Sequence, residues 1–216
     1  LALEIPTLAE MLSREGFATA AVVNMAFLNQ QPFGVTRGFD RFELIPAAAD
    51  RRGPATWVTD QAIEWLSEAG DRPTFLFMHY YDLHTKYGAL PAFERLFLEP
   101  YSGTADGTSW QAYLANISDE FVGRCRQGIN PERCHKAKGR PERAIGTVAE
   151  RLHFDEADIA HLIDLYDAGI RQLDTELERF FSFLRDNELM ERCYLVFTAD
   201  HGDEFGEHGS IDHSYT

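Results

Sequence analysis

Three short apolar runs punctuate the chain at wide intervals: Thr19 to Val23, Thr74 to Met78 and Tyr194 to Phe197. Short runs of this kind, alternating with stretches of helical spacing, predict a mostly parallel sheet whose connecting helices cover both faces. Pro6 to Gly16 reads as a short helix, with Leu8, Met11 and Leu12 on one face, Pro6 at its start and Gly16 as its stop. Thr56 to Ala69 reads as a second, with Trp57, Ile63, Trp65 and Leu66 as its apolar members and Gly70 closing it. Asp158 to Asn187 reads as one long helix or two, with Leu162, Leu165, Tyr166, Ile170, Leu173, Leu177, Phe181 and Leu184 on one core-facing stripe. Gly34 to Phe42 is turn-rich, and its aromatics are expected to pin a loop onto the core. The expected class is α/β, with a mostly parallel or mixed sheet sandwiched by helices.

At 216 residues, 44% hydrophobic and 12% aromatic, the chain can bury a sizeable core and reads as one domain or part of a larger one. Its formal charge of -15 argues against nucleic acid as a partner, since phosphate neutralisation needs a basic face. No apolar run approaches the roughly 20 residues that span a bilayer, so no membrane segment is expected, and the start does not resemble a signal peptide. The chain opens at Leu1 and closes at Thr216 just past an acidic loop, which reads as an internal fragment. Cys125, Cys134 and Cys193 show no CxxC pairing; the first two share a loop-like region and can pair in an exported protein, so compartment stays open. Residues 88–157 break the strand–helix rhythm and read as an insertion. Within it, Arg124 to Arg143 holds seven of the 20 basic residues against only Glu132 and Glu142, either a solvated loop or a basic rim that attracts an anionic substrate.

The chemistry concentrates where apolar runs end. Leu195-Val196-Phe197 reads as a buried strand, and Asp200 and His201 follow it at once, where open α/β sheets place ligand-binding groups. From Asp200 to His213 there are five acidic residues, three histidines and no Lys or Arg, with Gly202, Gly206 and Gly209 to turn the backbone. Such a run is strained unless a cation sits in it; the alternative is a solvated acidic loop. The run from Phe77 through His79, Asp82 and His84 to Tyr87 also follows a strand, and side-by-side strands would bring His84 toward the acidic loop. A ligating His201 must be neutral, with its second nitrogen held by a partner, whereas protonated His84 and His213 suit an anionic group. His79 is expected to be structural and to face away from Met78, while His135, His153 and His161 belong to no constellation.

These residues carry a family resemblance. Tyr166, Ile170, Arg171, Asp174, Leu189, Phe197, Asp200-His201-Gly202 and Gly206-Glu207-His208-Gly209 resemble the sulfatases of the alkaline phosphatase superfamily, particularly bacterial ones. So do Asp82-x-His84-x-x-Tyr87, the opening Thr7-Leu8-Ala9-x-x-Leu12-x-x-x-Gly16-Phe17-x-Thr19-Ala20 segment, and Gly38-Phe39-Asp40-x-Phe42. The likeness covers most of residues 1–87 and 160–216 in the family's order, and its strength lies in the ordered set. It implies an incomplete alkaline phosphatase/sulfatase-like catalytic domain over 1–216.

By that resemblance the full protein would hydrolyse a sulfate monoester at a divalent metal, usually calcium. Asp200 and His201 would be metal ligands. His84 and His213 would be the catalytic and sulfate-binding residues, with His208 as the runner-up to His213. Leu83 and Lys86 replace prolines common in the motif, and Lys86 would add a charge beside the substrate. The family's nucleophile, a formylglycine made from Cys or Ser in Cys/Ser-x-Pro-x-Arg, is missing: no cysteine here has that context. It is expected upstream of Leu1, together with paired metal-binding aspartates, so this fragment alone would be inactive. The expected partners are an anionic sulfate ester and a formylglycine-generating maturation enzyme, and the resemblance favours the periplasm or the extracellular space. The alternatives are a phosphate or phosphonate ester hydrolase of the same superfamily and a non-catalytic metal-binding module. If Arg124, Arg126, Arg133 and Lys136 form a capture rim, neutralising all four slows substrate capture severalfold at low salt; an unchanged rate disposes of the rim.

Overall fold

The computed structural model describes residues 4–30, 33–46, 53–84, 86–127 and 151–213. The chain divides into two compact units, the first taking in Leu1–His84, Ala89–Phe93 and Gly169–Leu195, the second Thr85–Gly88, Glu94–Ala168 and Val196–Thr216. The central strand of the first unit is β1 (Ala18–Val23), in which all six residues are buried. It is flanked by β2 (Arg41–Leu44) and β3 (Thr74–His79), both parallel to it, in the order β2-β1-β3. In register, Ala20 faces Arg41 on one side and Leu76 on the other, and Val23 lies between Leu44 and His79. The parallel sheet expected from the sequence is present.

Helix α1 (Leu8–Arg14) begins in a capping box: the Thr7 hydroxyl accepts from Glu10 N–H, and the Glu10 carboxylate accepts from Thr7 N–H at 2.8 Å. Its buried residue is Ala9, whereas Leu8 and Met11 are about half exposed, contrary to the expected apolar face. The reason is backbone proximity. A Cβ on Gly38, at φ +85°, would lie 2.2 Å from Glu10 N and 2.6 Å from the Ala9 carbonyl carbon, so only small groups fit where the helix meets this turn. Thr19 reinforces the contact, its hydroxyl donating to Gly38 O and its amide donating to Asp40. The turn-rich reading of 34–42 holds for the turn but missed β2, whose Arg41 and Phe42 enter the ladder directly after it.

Helix α2 (Pro54–Glu68) starts with Pro54 after Gly53 and lays Ala55, Val58, Thr59, Ala62 and Trp65 inward. The small residues take the deepest places, with Trp57, Ile63 and Leu66 packed around them rather than leading, as expected from spacing. A one-turn helix α3 (Pro91–Glu94) follows β3. In the second unit, α4 (Ser109–Asn116) is capped by Thr108, and α5 (Asp119–Arg126) packs Val122 against Trp110 and Ile117. The long stripe forms one continuous helix, α6 (Glu156–Asp186). In the second unit its Leu162 and Leu165 join Tyr87 and Ala105, while in the first Phe180 and Leu184 join Val22 and Val58. Ile170 is instead 42% exposed. No helix among the described residues is long and apolar enough to cross a membrane.

The third expected strand does not form. Tyr194 is fully exposed, Val196 84% and Phe197 73% exposed, and the run joins no ladder among the described residues. An apolar run records only a preference for burial; strand structure also needs a hydrogen-bonding neighbour. The side-by-side placement of this run and β3 is accordingly not seen among the described residues, where the outer edge of β3 has no paired strand. The acidic loop instead forms its own antiparallel hairpin, β4 (Glu204–Phe205) with β5 (Ile211–Asp212). Of the basic patch, residues 128–143 lie outside the described residues, as do Cys134 and the Cys125 side chain, while Cys193 is a free, exposed thiol. Substituting Gly38→Ala should displace α1 and lower unfolding stability by about 2–4 kcal/mol in urea denaturation; an unchanged midpoint would contradict the close approach.

Candidate functional site

The hairpin of the second unit gathers the polar residues. Gly206 (φ +98°) and Gly209 (φ +92°) turn the chain, and Phe205 and Ile211 pair across it. The Asn116 side chain completes the free edge of β5, donating to Ile211 O at 2.5 Å and accepting from Ile211 N–H at 3.0 Å. Glu204 folds back under the loop and accepts from Ser210 Oγ and His208 N–H; these bonds hold its carboxyl below the usual range. Asp212 is buried with φ +77°, a left-handed conformation that aspartate tolerates better than most residues. That bend turns His213 back over the loop, its ring stacked 4.0 Å from that of His201.

Three donors converge there. One ligand atom each of His201, Asp203 and His213 lies within 4.8 Å of the other two, a group that can hold a divalent metal. His213 Nδ1 sits 2.7 Å from Asp203 Oδ1 and 2.5 Å from Asp212 Oδ1, so one imidazole nitrogen faces two carboxylates. The Asp203 and Asp212 side chains are only 5% and 8% exposed, which raises the cost of leaving their charge uncompensated. The group opens on a depression of about 440 Å³ that Glu204, Glu207 and His208 also line. Two imidazoles and a carboxylate form a donor set suited to zinc and similar cations, whereas calcium takes oxygen ligands.

Of the residues singled out in the sequence, His201 and His213 are thus brought together. Asp200 lies beside them, 85% exposed, its carboxylate 3.6 Å from His201 Nε2. His208 is 81% exposed, 3.4 Å from Glu204. Asp203 escaped notice because nothing distinguished it from four other acids in the same run. Tyr87, quoted only as part of a motif, is 3% exposed. Burial above all, then the adjacent Asp203 carboxylate, pushes its phenol well above the ordinary tyrosine value. Lys86 is exposed.

In the first unit, His84 stacks on Tyr81 at 4.3 Å, the last member of a row of rings that runs through Phe39, Phe75, Phe77 and His79. His79 indeed lies on the sheet face opposite Met78, which packs with Val22 and Val58. The loop carrying His84 is fastened by Asp82, which accepts from Asn24 Nδ2 at 2.6 Å and from Ala55 N–H at the start of α2 at 2.9 Å. Burial raises the Asp82 pKa, and these two hydrogen bonds oppose the shift. Asn24 also accepts from Tyr81 N–H at 2.6 Å. Its position immediately after β1, at the carboxyl end of a central parallel strand, was the sequence signal that could have found it.

The Sulfatase family model matches residues 1–216, and the chain belongs to that family. It is 24% identical over 174 residues to the multifunctional alkaline phosphatase superfamily protein PehA of Trinickia caryophylli, covering 76% of this chain and 31% of that protein. In fold it is similar to the phosphonate monoester hydrolase of Agrobacterium radiobacter, with TM-score 0.64, 15% identity, and coverage of 98% of this chain and 50% of that one. It is also similar to the C-terminal periplasmic domain of EcEptC from Escherichia coli, solved in complex with Zn, with TM-score 0.51, 16% identity, and coverage of 98% and 48%. The chain therefore spans half or less of the length of these relatives, and its α/β fold with a parallel sheet is that of alkaline phosphatase/sulfatase-like hydrolases.

Titrating the full-length protein with Zn²⁺ should show binding that weakens as the pH is lowered, because only neutral imidazoles ligate. His213→Ala should weaken it at least about 10-fold; unchanged affinity would remove His213 from the centre.

Proposed function

We propose that this chain is part of a metal-dependent hydrolase of sulfate monoesters. The supporting observation is the convergence of His201, Asp203 and His213 in a chain that the Sulfatase family model matches from end to end. A divalent cation bound there would polarise an ester oxygen and offset the negative charge that builds up in the transition state. The resemblance suggests calcium, with Asp200 contributing an oxygen beside His201; the nitrogen-rich set of the triad favours zinc.

The remaining roles belong to this chain's own side chains. His84, in its protonated form, would bind an anionic ester oxygen or give a proton to the leaving oxygen, and its stacking on Tyr81 limits how the ring can rotate. His213 would do the same work if it is not held by the cation. Lys86, exposed two residues after His84, adds positive charge for the sulfate group. The formylglycine nucleophile would come from outside residues 1–216, installed by a formylglycine-generating enzyme, because no Cys/Ser-x-Pro-x-Arg occurs within them.

The second reading, a phosphate or phosphonate ester hydrolase, is favoured by the fold likeness to a phosphonate monoester hydrolase. An aryl sulfate and an aryl phosphonate monoester, assayed side by side on the full-length protein, separate the two. The sulfatase reading expects the higher kcat/KM on the sulfate, and a clear preference for the phosphonate would replace it. On the preferred ester, His84→Ala and Asp200→Ala should each lower kcat/KM by about 10²-fold or more. Near-wild-type turnover would exclude the residue concerned.

A further inference from the structure

Tyr87 occupies a position that its own packing does not explain. Gly107, at φ +67°, accepts the Tyr87 N–H at 3.1 Å, and a Cβ on that glycine would lie 2.9 Å from Tyr87 Cβ. The ring is held by Tyr166, edge-on at 5.5 Å, and by Phe205 at 5.3 Å. Backbone and ring are thus fixed without help from the hydroxyl. That hydroxyl is buried and closes no hydrogen bond of normal geometry among the described residues; its ring lies against Phe205, two residues from Asp203, and the Asp203 carboxylate is near enough to raise its pKa. A buried phenol left in this state costs about 1–3 kcal/mol, and a phenylalanine would fill the same space without that cost.

We propose that Tyr87 is a positioning residue for the cation centre, its hydroxyl donating to the Asp203 carboxylate and fixing that carboxylate's orientation toward the ion. Asp203 already meets His213 through Oδ1. A donor from the buried side restrains the carboxylate's rotation and aligns it with His201 and His213, the part that outer partners of ligating carboxylates play in metal sites. Phe205 ties the arrangement together: it lies two residues beyond Asp203 in the hairpin and touches both Tyr87 and Tyr166. The inference rests on the reading of His201, Asp203 and His213 as cation ligands.

The test compares wild type, Tyr87→Phe and His213→Ala in the full-length protein, by calorimetric titration with Zn²⁺ and with Ca²⁺ and by thermal unfolding without added metal. Tyr87→Phe should bind the preferred ion about 10–100-fold more weakly, whatever the change in its metal-free unfolding temperature. A structural role alone would lower the unfolding temperature and leave affinity in place, and that pattern overturns the proposal. Affinity lost with His213→Ala but kept with Tyr87→Phe also overturns it while the cation centre stands. No binding of either ion by wild type overturns the centre, and the positioning role with it.

Discussion

The arrangement of the acidic loop depends on a ladder of two residue pairs, Glu204 with Asp212 and Phe205 with Ile211. Those pairs bring residues ten apart in sequence, Asp203 and His213, to 2.7 Å. So short a hairpin is not stable alone in water. It is secured from outside by Asn116, which serves Ile211 as a surrogate neighbouring strand, and by the packing of Phe205 on Tyr87 and Tyr166. The apolar side of the hairpin holds it in the unit's core, and its polar side presents the donors.

Electrostatics then separates this loop from an ordinary acidic surface. Asp203 and Asp212 are almost fully buried, they share one imidazole nitrogen, and a left-handed backbone at Asp212 keeps them together. Groups buried in this way are costly unless paired, and strain of this kind persists where surrounding structure over-determines it. The solvated-loop alternative fits the outer members, Asp200, Glu207 and His208, which are exposed, and fails for the inner ones.

The first unit solves a different problem. A wholly buried β1, built from Ala, Thr and Val, allows α2 and the carboxyl-terminal half of α6 to approach closely on one face. Its end releases Asn24, which joins Asp82 and the first turn of α2 in one hydrogen-bonded knot. That knot sets the path of the loop bearing His84, so a packing decision in the sheet reaches a residue with chemical potential. The ring row from Phe39 to His84 lies along the opposite face.

Much of this was written locally. Short apolar runs located β1 and β3, and helical spacing of apolar residues located α2 and α6. Interleaved His, Asp and Gly marked the acidic loop as a candidate cation site, with Asp200 and His201 read as its ligands and His213 as a residue for the anionic group. Residue type could not separate Asp203 from its acidic neighbours, since burial distinguishes them and burial is a property of the folded chain. Nor could it show β2, hidden behind the turn signals of 34–40, or that the Tyr194–Phe197 run would join no ladder among the described residues, because strand pairing is settled between distant segments. The link we propose from Tyr87 to Asp203 is of the same kind. Sequence supplied the donors and the turns; only tertiary packing decided which carboxylate lost its water and which hydroxyl came near it.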